Sequence, residues 1–404
     1  MTDNRLAGAD FVRAAACLLV VAHHIAQRVS PRALGEQAEI AGFFMMGAIG
    51  VSAFFVLSGY LLSRPFWVAM DAGQPMPSLR TYALRRSARI LPGFWLALTV
   101  AFVLSFTLLG FPFDGTLLVR YLSGVFGVSS FSWFTWFPTE FNLPLWSISC
   151  EIVSYTLMAL CLWGMFKLPF ARGWTARVIW VAMIAAVIGV QFLMLTYAMP
   201  DGAQRGWEFG TIGGAKIWWP NYNPVAFYAM FTIGVLAAGV QVRLAQLRSI
   251  VFDIAALAGL GLAVYMMFAY FPQPDAFGIA NIPYAFPWFP LAICLILVAT
   301  PSSVLVRRVT ETAPIAYVAR VSFGIYVWHY FLMEIVRVLW QPDYLYWGMR
   351  DVGLWAWISV GIVVASFVVA TISYYLLEEP VIRWARTLER RPAPGAPTFS
   401  PAAG

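Results

Sequence analysis

Ten stretches of the chain are apolar over enough residues to cross the roughly 30 Å hydrocarbon core of a bilayer as helices. They lie at about 11–28, 41–63, 90–110, 144–165, 176–199, 224–242, 250–271, 284–301, 314–339 and 352–377. Nothing between them is long enough for a separate soluble domain, and no period of 20–50 residues repeats, which argues against a solenoid. The pattern predicts an all-α polytopic membrane protein of about ten transmembrane helices. Residues 1–390 form one transmembrane domain, and residues 391–404, rich in Pro, Ala and Gly, read as a disordered tail.

Composition agrees with the pattern. Of 404 residues, 61% are hydrophobic and 11% charged, against about 25% charged in soluble domains. A net charge of +7 would fit a nucleic-acid partner, but the cations flank the apolar spans, where they set topology. Alternating the loops across the membrane puts 19 Lys and Arg on one side and 6 on the other, with Arg337 inside a span. The rich side is expected to be cytoplasmic, together with both termini, and no nucleic acid is expected. Cys17, Cys150, Cys161 and Cys294 all lie in apolar segments without a CxxC pair, so neither a disulfide framework nor a metal site is indicated.

Ionisable groups inside apolar spans are costly and by default functional. The first span carries Asp10 and Arg13 at its entrance and His23 and His24 deep inside. On a helix, Arg13 and His24 lie about 16 Å apart with an angular offset near 20°, whereas His23 is turned about 80° the other way. One helix face thus joins a cation near the membrane surface to a titratable imidazole.

Further polar positions punctuate later spans. Gly50, Ser52, Ser58 and Gly59 give the second span a surface for close helix packing, with Ser58 also able to donate a hydrogen bond in a cavity. Arg86 and Arg89, three residues apart, share a helix face and form either a phosphate grip or a membrane anchor. Glu151, in Trp146-Ser-Ile-Ser-Cys-Glu, needs a partner or a cavity, and Tyr155 follows one turn on. Tyr326 and His329 lie in the ninth span ahead of Glu334 and Arg337, whose spacing lets them pair. Glu378-Glu-Pro380 is read as the stop of the tenth span. Aromatic loop residues around 131–136 and Trp207, Trp218, Trp219 and Tyr222 form either an interfacial belt or a stacking platform for an acceptor.

In this order the motifs resemble the acyltransferase 3 family of membrane acyltransferases, which modify surface polysaccharides and similar acceptors. Asp10…Arg13…His24 fits the family's D-x-x-R-x10-H pattern, with His24 in register. Gly50-Val, Phe54-Phe55 and Ser58-Gly59 resemble the second-span motif, and Arg86-x-x-Arg89 the arginine pair. Trp146-Ser…Glu151, Tyr326…His329 and Glu379-Pro380 complete it, over residues 5 to 384. Phe11 stands where the family usually has glycine and Cys150 where valine is commoner; neither changes a polar group. The soluble esterase-like domain that some members append is not expected.

The resemblance implies a bacterial inner-membrane enzyme with no permanently bound cofactor. Acyl-coenzyme A, acetyl-coenzyme A in the simplest case, is the expected cytoplasmic co-substrate. The expected acceptor is a carbohydrate or lipid-linked sugar met within or across the bilayer. In that setting Arg13, Arg86 and Arg89 hold the donor's phosphates, and His24 is the general base. Glu151 or Asp10 orients it, with Ser58, Tyr326 and His329 in support. Acylation of a small glycosylated metabolite such as a macrolide is the alternative within the enzyme class. A proton-coupled secondary transporter using His24 and Glu151 is the alternative outside it, although no internal inverted repeat is visible.

Overall fold

The computed structural model describes residues 6–199 and 211–389. Arg5, Arg205, Trp207, Arg390, Arg391 and the expected tail lie outside these described residues. Each of the ten apolar stretches contains a helix: α1 Ala9–Ala26, α2 Gly50–Asp71, α3 Leu79–Thr107, α4 Trp146–Phe166 and α5 Gly173–Leu193. Then come α6 Pro224–Leu244, α7 Ile250–Ala269, α8 Trp288–Ala299, α9 Ala313–Leu339 and α10 Val352–Ser373, with a terminal α11 at Glu379–Glu389. Among the described residues, eight segments are long and apolar enough to cross a membrane. The α8 segment is shorter, and α9 is long but carries Arg320, Glu334 and Arg337. The only β-pairing among the described residues is an isolated bridge between Val29 and Met349. The chain is an all-α polytopic membrane protein.

Hydropathy misplaces three edges, each for a physical reason. The apolar residues 41–49 lie in the same apolar segment as the second helix but ahead of its regular α-helical part: Ala38–Met45 is a short helix and Met46–Ile49 a 3₁₀ turn buried against α1, so α2 itself starts at Gly50. Burial in protein and burial in lipid look alike in sequence. Helix α3 begins eleven residues before the expected apolar edge, at a cap where the Ser78 hydroxyl accepts the Thr81 N–H. Arg85, Arg86 and Arg89 therefore stand on a continuous helix. Pro380 does not stop the tenth helix; Tyr374–Glu378 forms a π-turn that runs directly into α11. Proline lacks an N–H and crowds the carbonyl four residues earlier, and it follows directly on the π-turn, whose wider i→i+5 bonding already departs from the regular α-helical ladder there.

Two contacts place the polar residues. Gly59 and Gly234 let α2 and α6 touch, since a Cβ on either would collide with the backbone of Phe231 or Val56. Helices α1 and α9 run parallel at one register, 305 residues apart: Cys17 Sγ donates to Ser322 O at 3.4 Å, and His24 meets His329. Two turns separate these contacts, so the same faces meet twice. Beyond His24 the register is locked by Arg28 and Glu334, 2.9 Å apart and both buried. Backbone bonds from Trp347 N to Gln27 O and from Met349 N to Arg28 O tie down the same end.

Three arginines that the loop count treats as topology signals are buried in ion pairs: Arg28 with Glu334, Arg120 with Glu140 and Arg177 with Asp71. The expected Glu334–Arg337 pair forms at 2.6 Å, so Glu334 serves two cations. The aromatic loops are neither an open platform nor a simple belt. Trp136 is buried, its ring 4.8 Å from Trp146 and near Trp218 and Tyr222, while Trp219 donates to Ser130 O. They close one end of the bundle as a small aromatic core.

Candidate active site

Five helices meet around an inner cavity. Helix α1 supplies Arg13; α2 supplies Phe54 and Ser58; α3 supplies Arg86, Arg89 and Ile90. Helix α4 adds Ser147, Glu151 and Tyr155, and α9 adds Ser322 and Tyr326. The i,i+3 spacing of Arg86 and Arg89 and the one-turn spacing of Glu151 and Tyr155 aim each pair into the same space.

The wall is polar where it meets Glu151. Its carboxylate accepts from Ser58 Oγ at 2.9 Å and from the Tyr155 hydroxyl. Ser58 is thus a hydrogen-bond donor in a cavity, while its neighbour Gly59 is a packing residue. Farther in, Tyr326 donates to Pro144 O at 2.9 Å and contacts Ser147 Oγ at 2.5 Å. Its ring lies 6.0 Å from that of His329, one turn along α9.

A second chamber adjoins the first at Arg13 and Arg89. Asp10, Arg64, Arg320 and Tyr374 also line it, so four guanidinium groups face one vestibule. Asp10 lies 3.7 Å from Arg13. Arg89 donates to Arg320 O at 3.2 Å and stands 3.7 Å from the buried Glu378. Among the described residues Arg86 makes no hydrogen bond or ion pair, which leaves its fork available to a ligand.

The three histidines divide into two environments. His23 Nδ1 lies 2.5 Å from Met45 O and its Nε2 lies 3.0 Å from Gln27 Nε2, so both nitrogens are occupied. His24 Nδ1 lies 2.9 Å from His329 Nε2, and His329 Nδ1 lies 3.0 Å from Ile325 O. The edge of the His24 ring meets Tyr330 at 5.2 Å. Neither carboxylate expected to orient His24 does so. Glu151 is held by Ser58 and Tyr155, and Asp10 stands at the opposite end of α1 beside Arg13.

Sequence reasoning singles out Arg13, Arg86, Arg89, Ser58, Glu151 and Tyr326, and the structure brings them together on one cavity. It does not find Arg64, Arg320 and Tyr374 in the vestibule, or the partnership of His24 with His329. Arg320, about two turns into α9 on the arginine-rich side, is the available signal for the first omission; helix pairing, which sequence does not encode locally, underlies the second.

A family model described as an acyltransferase domain matches residues 6–375. The chain belongs to that acyltransferase family. It is 24% identical to the acyltransferase MdmB of Streptomyces mycarofaciens, over 97% of this chain and 95% of that protein. It is also 24% identical to the peptidoglycan O-acetyltransferase OatA of Listeria monocytogenes, over 92% of this chain and 55% of that protein. The chain thus spans about half the length of that peptidoglycan relative. No solved structure matches it. Membership makes the protein a membrane acyltransferase, and the transporter reading falls away.

Proposed function

We propose that the protein transfers an acyl group, acetyl in the simplest case, from cytoplasmic acyl-coenzyme A to a hydroxyl of a cell-envelope carbohydrate, with His24 as general base. The observation that carries this reading is a pair of adjoining pockets that share Arg13 and Arg89, the inner one reaching Tyr326. Neither is lined by His24 or His329, but the Tyr326 ring lies 6.0 Å from that of His329, the partner of His24.

The vestibule suits the phosphorylated nucleotide end of the donor, because guanidinium forks bind phosphate oxygens two at a time. The inner cavity suits the pantetheine arm, whose amide N–H groups the Glu151 carboxylate can accept. Asp10 steadies Arg13 at the junction. At the far end, the acceptor oxygen gives its proton to His24 and attacks the thioester carbonyl carbon. The carbon–sulfur bond then breaks, and the coenzyme leaves as a thiol after taking up a proton, which His24 can return. The direct test is coenzyme A release by purified protein in lipid, supplied with acetyl-coenzyme A and extracted envelope glycans. Absence of release with every glycan would refute the assignment.

Donor binding gives a separate prediction. Arg86→Ala removes an unpaired fork and should weaken acetyl-coenzyme A binding by about 1.5–3 kcal/mol with little change in melting. Lysine should recover only part of it, since it has no planar fork. Arg89→Ala should weaken binding too, and should also lower stability, because Glu378 loses its ion-pair partner. Calorimetric titration of folded variants checks both, and wild-type affinity in Arg86→Ala would return that residue to membrane anchoring.

Orientation is testable by cysteine labelling in a background with the four native cysteines replaced. Ser78 and Gln246, exposed at the arginine-rich end, should be shielded from an impermeant thiol reagent in intact cells. Glu36 and Asp343, exposed at the opposite end, should react. The reverse pattern would move the vestibule outside and remove its donor.

A further inference from the structure

The contacts of the His24–His329 pair determine where its hydrogens lie. Ile325 O is a carbonyl and can only accept, so the hydrogen in its 3.0 Å contact belongs to His329 Nδ1. A neutral imidazole carries one N–H, which leaves His329 Nε2 as a bare lone pair. The 2.9 Å contact from that lone pair to His24 Nδ1 then requires a hydrogen on His24 Nδ1. His24 Nε2 is left without one.

Neutrality of His329 follows from its surroundings. It is fully buried, and a buried charge without a partner is costly. The carboxylate on its helix, Glu334, is taken by Arg28 and Arg337. Arg28 itself lies 4.9 Å from the centre of the Tyr330 ring that also meets His24, so a cation already occupies this neighbourhood.

We propose that His329 is a positioning residue that holds His24 in the Nδ1–H tautomer, so that Nε2 is the basic atom offered to the acceptor. The inference rests on the general-base reading above and specifies how the base is prepared. A second imidazole takes the place that a carboxylate fills beside other catalytic histidines. The acceptor O–H bond breaks and a His24 Nε2–H bond forms. The Nδ1 hydrogen of His24 stays on its bond to the His329 lone pair, which steadies the His24 cation until Nε2 gives its proton to the departing thiolate.

Three histidines in the whole chain make the proposal directly measurable. In protein labelled with ¹⁵N-histidine and held in lipid nanodiscs, nitrogen spectra distinguish the two tautomers. The wild type should show Nδ1–H at His24 and His329, and also at His23, whose Nδ1 faces Met45 O. His329→Leu should release His24 from that tautomer and lower kcat by about 10²–10⁴-fold, with KM for the donor unchanged. His329→Gln offers an amide oxygen to His24 Nδ1–H, and should keep the tautomer and restore most of the rate. A wild-type His24 protonated on Nε2 overturns the proposal, as does a folded His329→Leu enzyme with wild-type kcat. The spectra do not depend on turnover. The expected tautomers in a protein that transfers from no acyl-coenzyme A would therefore locate the failure in the general-base reading instead.

Discussion

His24→Ala should bind acyl-coenzyme A as the wild type does and transfer almost nothing. Loss of a general base typically costs about 10²–10⁴ in rate, and the arginines that line the donor path are three turns away on α1 or on other helices. The neighbouring His23→Ala is the informative comparison. His23 uses one nitrogen on Met45 O and the other on the Gln27 amide, where it helps hold the turn that follows α1. Its removal leaves those two groups without their partner, at a stability cost of about 1–3 kcal/mol. The folded fraction should still turn over. Single-turnover transfer and donor binding, measured on both variants, separate the two roles. Normal transfer by folded His24→Ala would dispose of the mechanism, and a transfer defect confined to His23→Ala would exchange the two assignments.

The largest effect on stability is expected far from the chemistry, at Arg177. Its guanidinium reaches from α5 to both carboxylate oxygens of Asp71 at the end of α2, at 2.5 and 2.7 Å. It also donates to Gly239 O on α6 and to Gly173 O, and stacks 4.5 Å from the Trp67 ring. Three helices converge on one side chain. Arg177→Ala leaves Asp71 mostly buried with, among the described residues, Arg243 as its remaining cation at 3.9 Å. Breaking a buried pair from one side costs about 3–5 kcal/mol. Lysine should not rescue it, since a single ammonium cannot serve Asp71 and Gly239 O together. Equilibrium unfolding in mixed micelles is the measurement. A loss below about 1 kcal/mol, the range of a solvated surface pair, would mean that Arg177 acts only as a topology signal.

Much of this protein is legible in its amino-acid sequence. Apolar runs locate α1 to α10, and eight segments among the described residues are long and apolar enough to cross a membrane, because a bilayer demands about twenty consecutive apolar residues, a signal that needs no tertiary knowledge. The periodicity of one helix puts Arg13 and His24 on a shared face, and the spacing of Arg86 and Arg89 turns both into one space. Those are properties within single helices, where geometry is fixed by the backbone alone.

Relations between helices are not legible in the same way. The offset of 305 residues that sets His24 against His329, and that of 306 that sets Arg28 against Glu334, come from how the first helix and the turn after it pack on α9. Glu151 is a reasonable candidate to orient His24 by its position in an apolar span, yet the fold gives it to Ser58 and Tyr155. Arg28, Arg120 and Arg177 read as loop cations because hydropathy does not distinguish a solvated charge from one neutralised by a distant carboxylate. Likewise the apolar residues 41–49 read as spanning the bilayer, although the 3₁₀ turn among them packs on α1. Sequence by itself determined which residues are apolar, which are ionisable and which share a helix face. The tertiary structure alone decided which polar groups meet, because a partner hundreds of residues away enters the energy only when helix packing brings it within hydrogen-bonding distance.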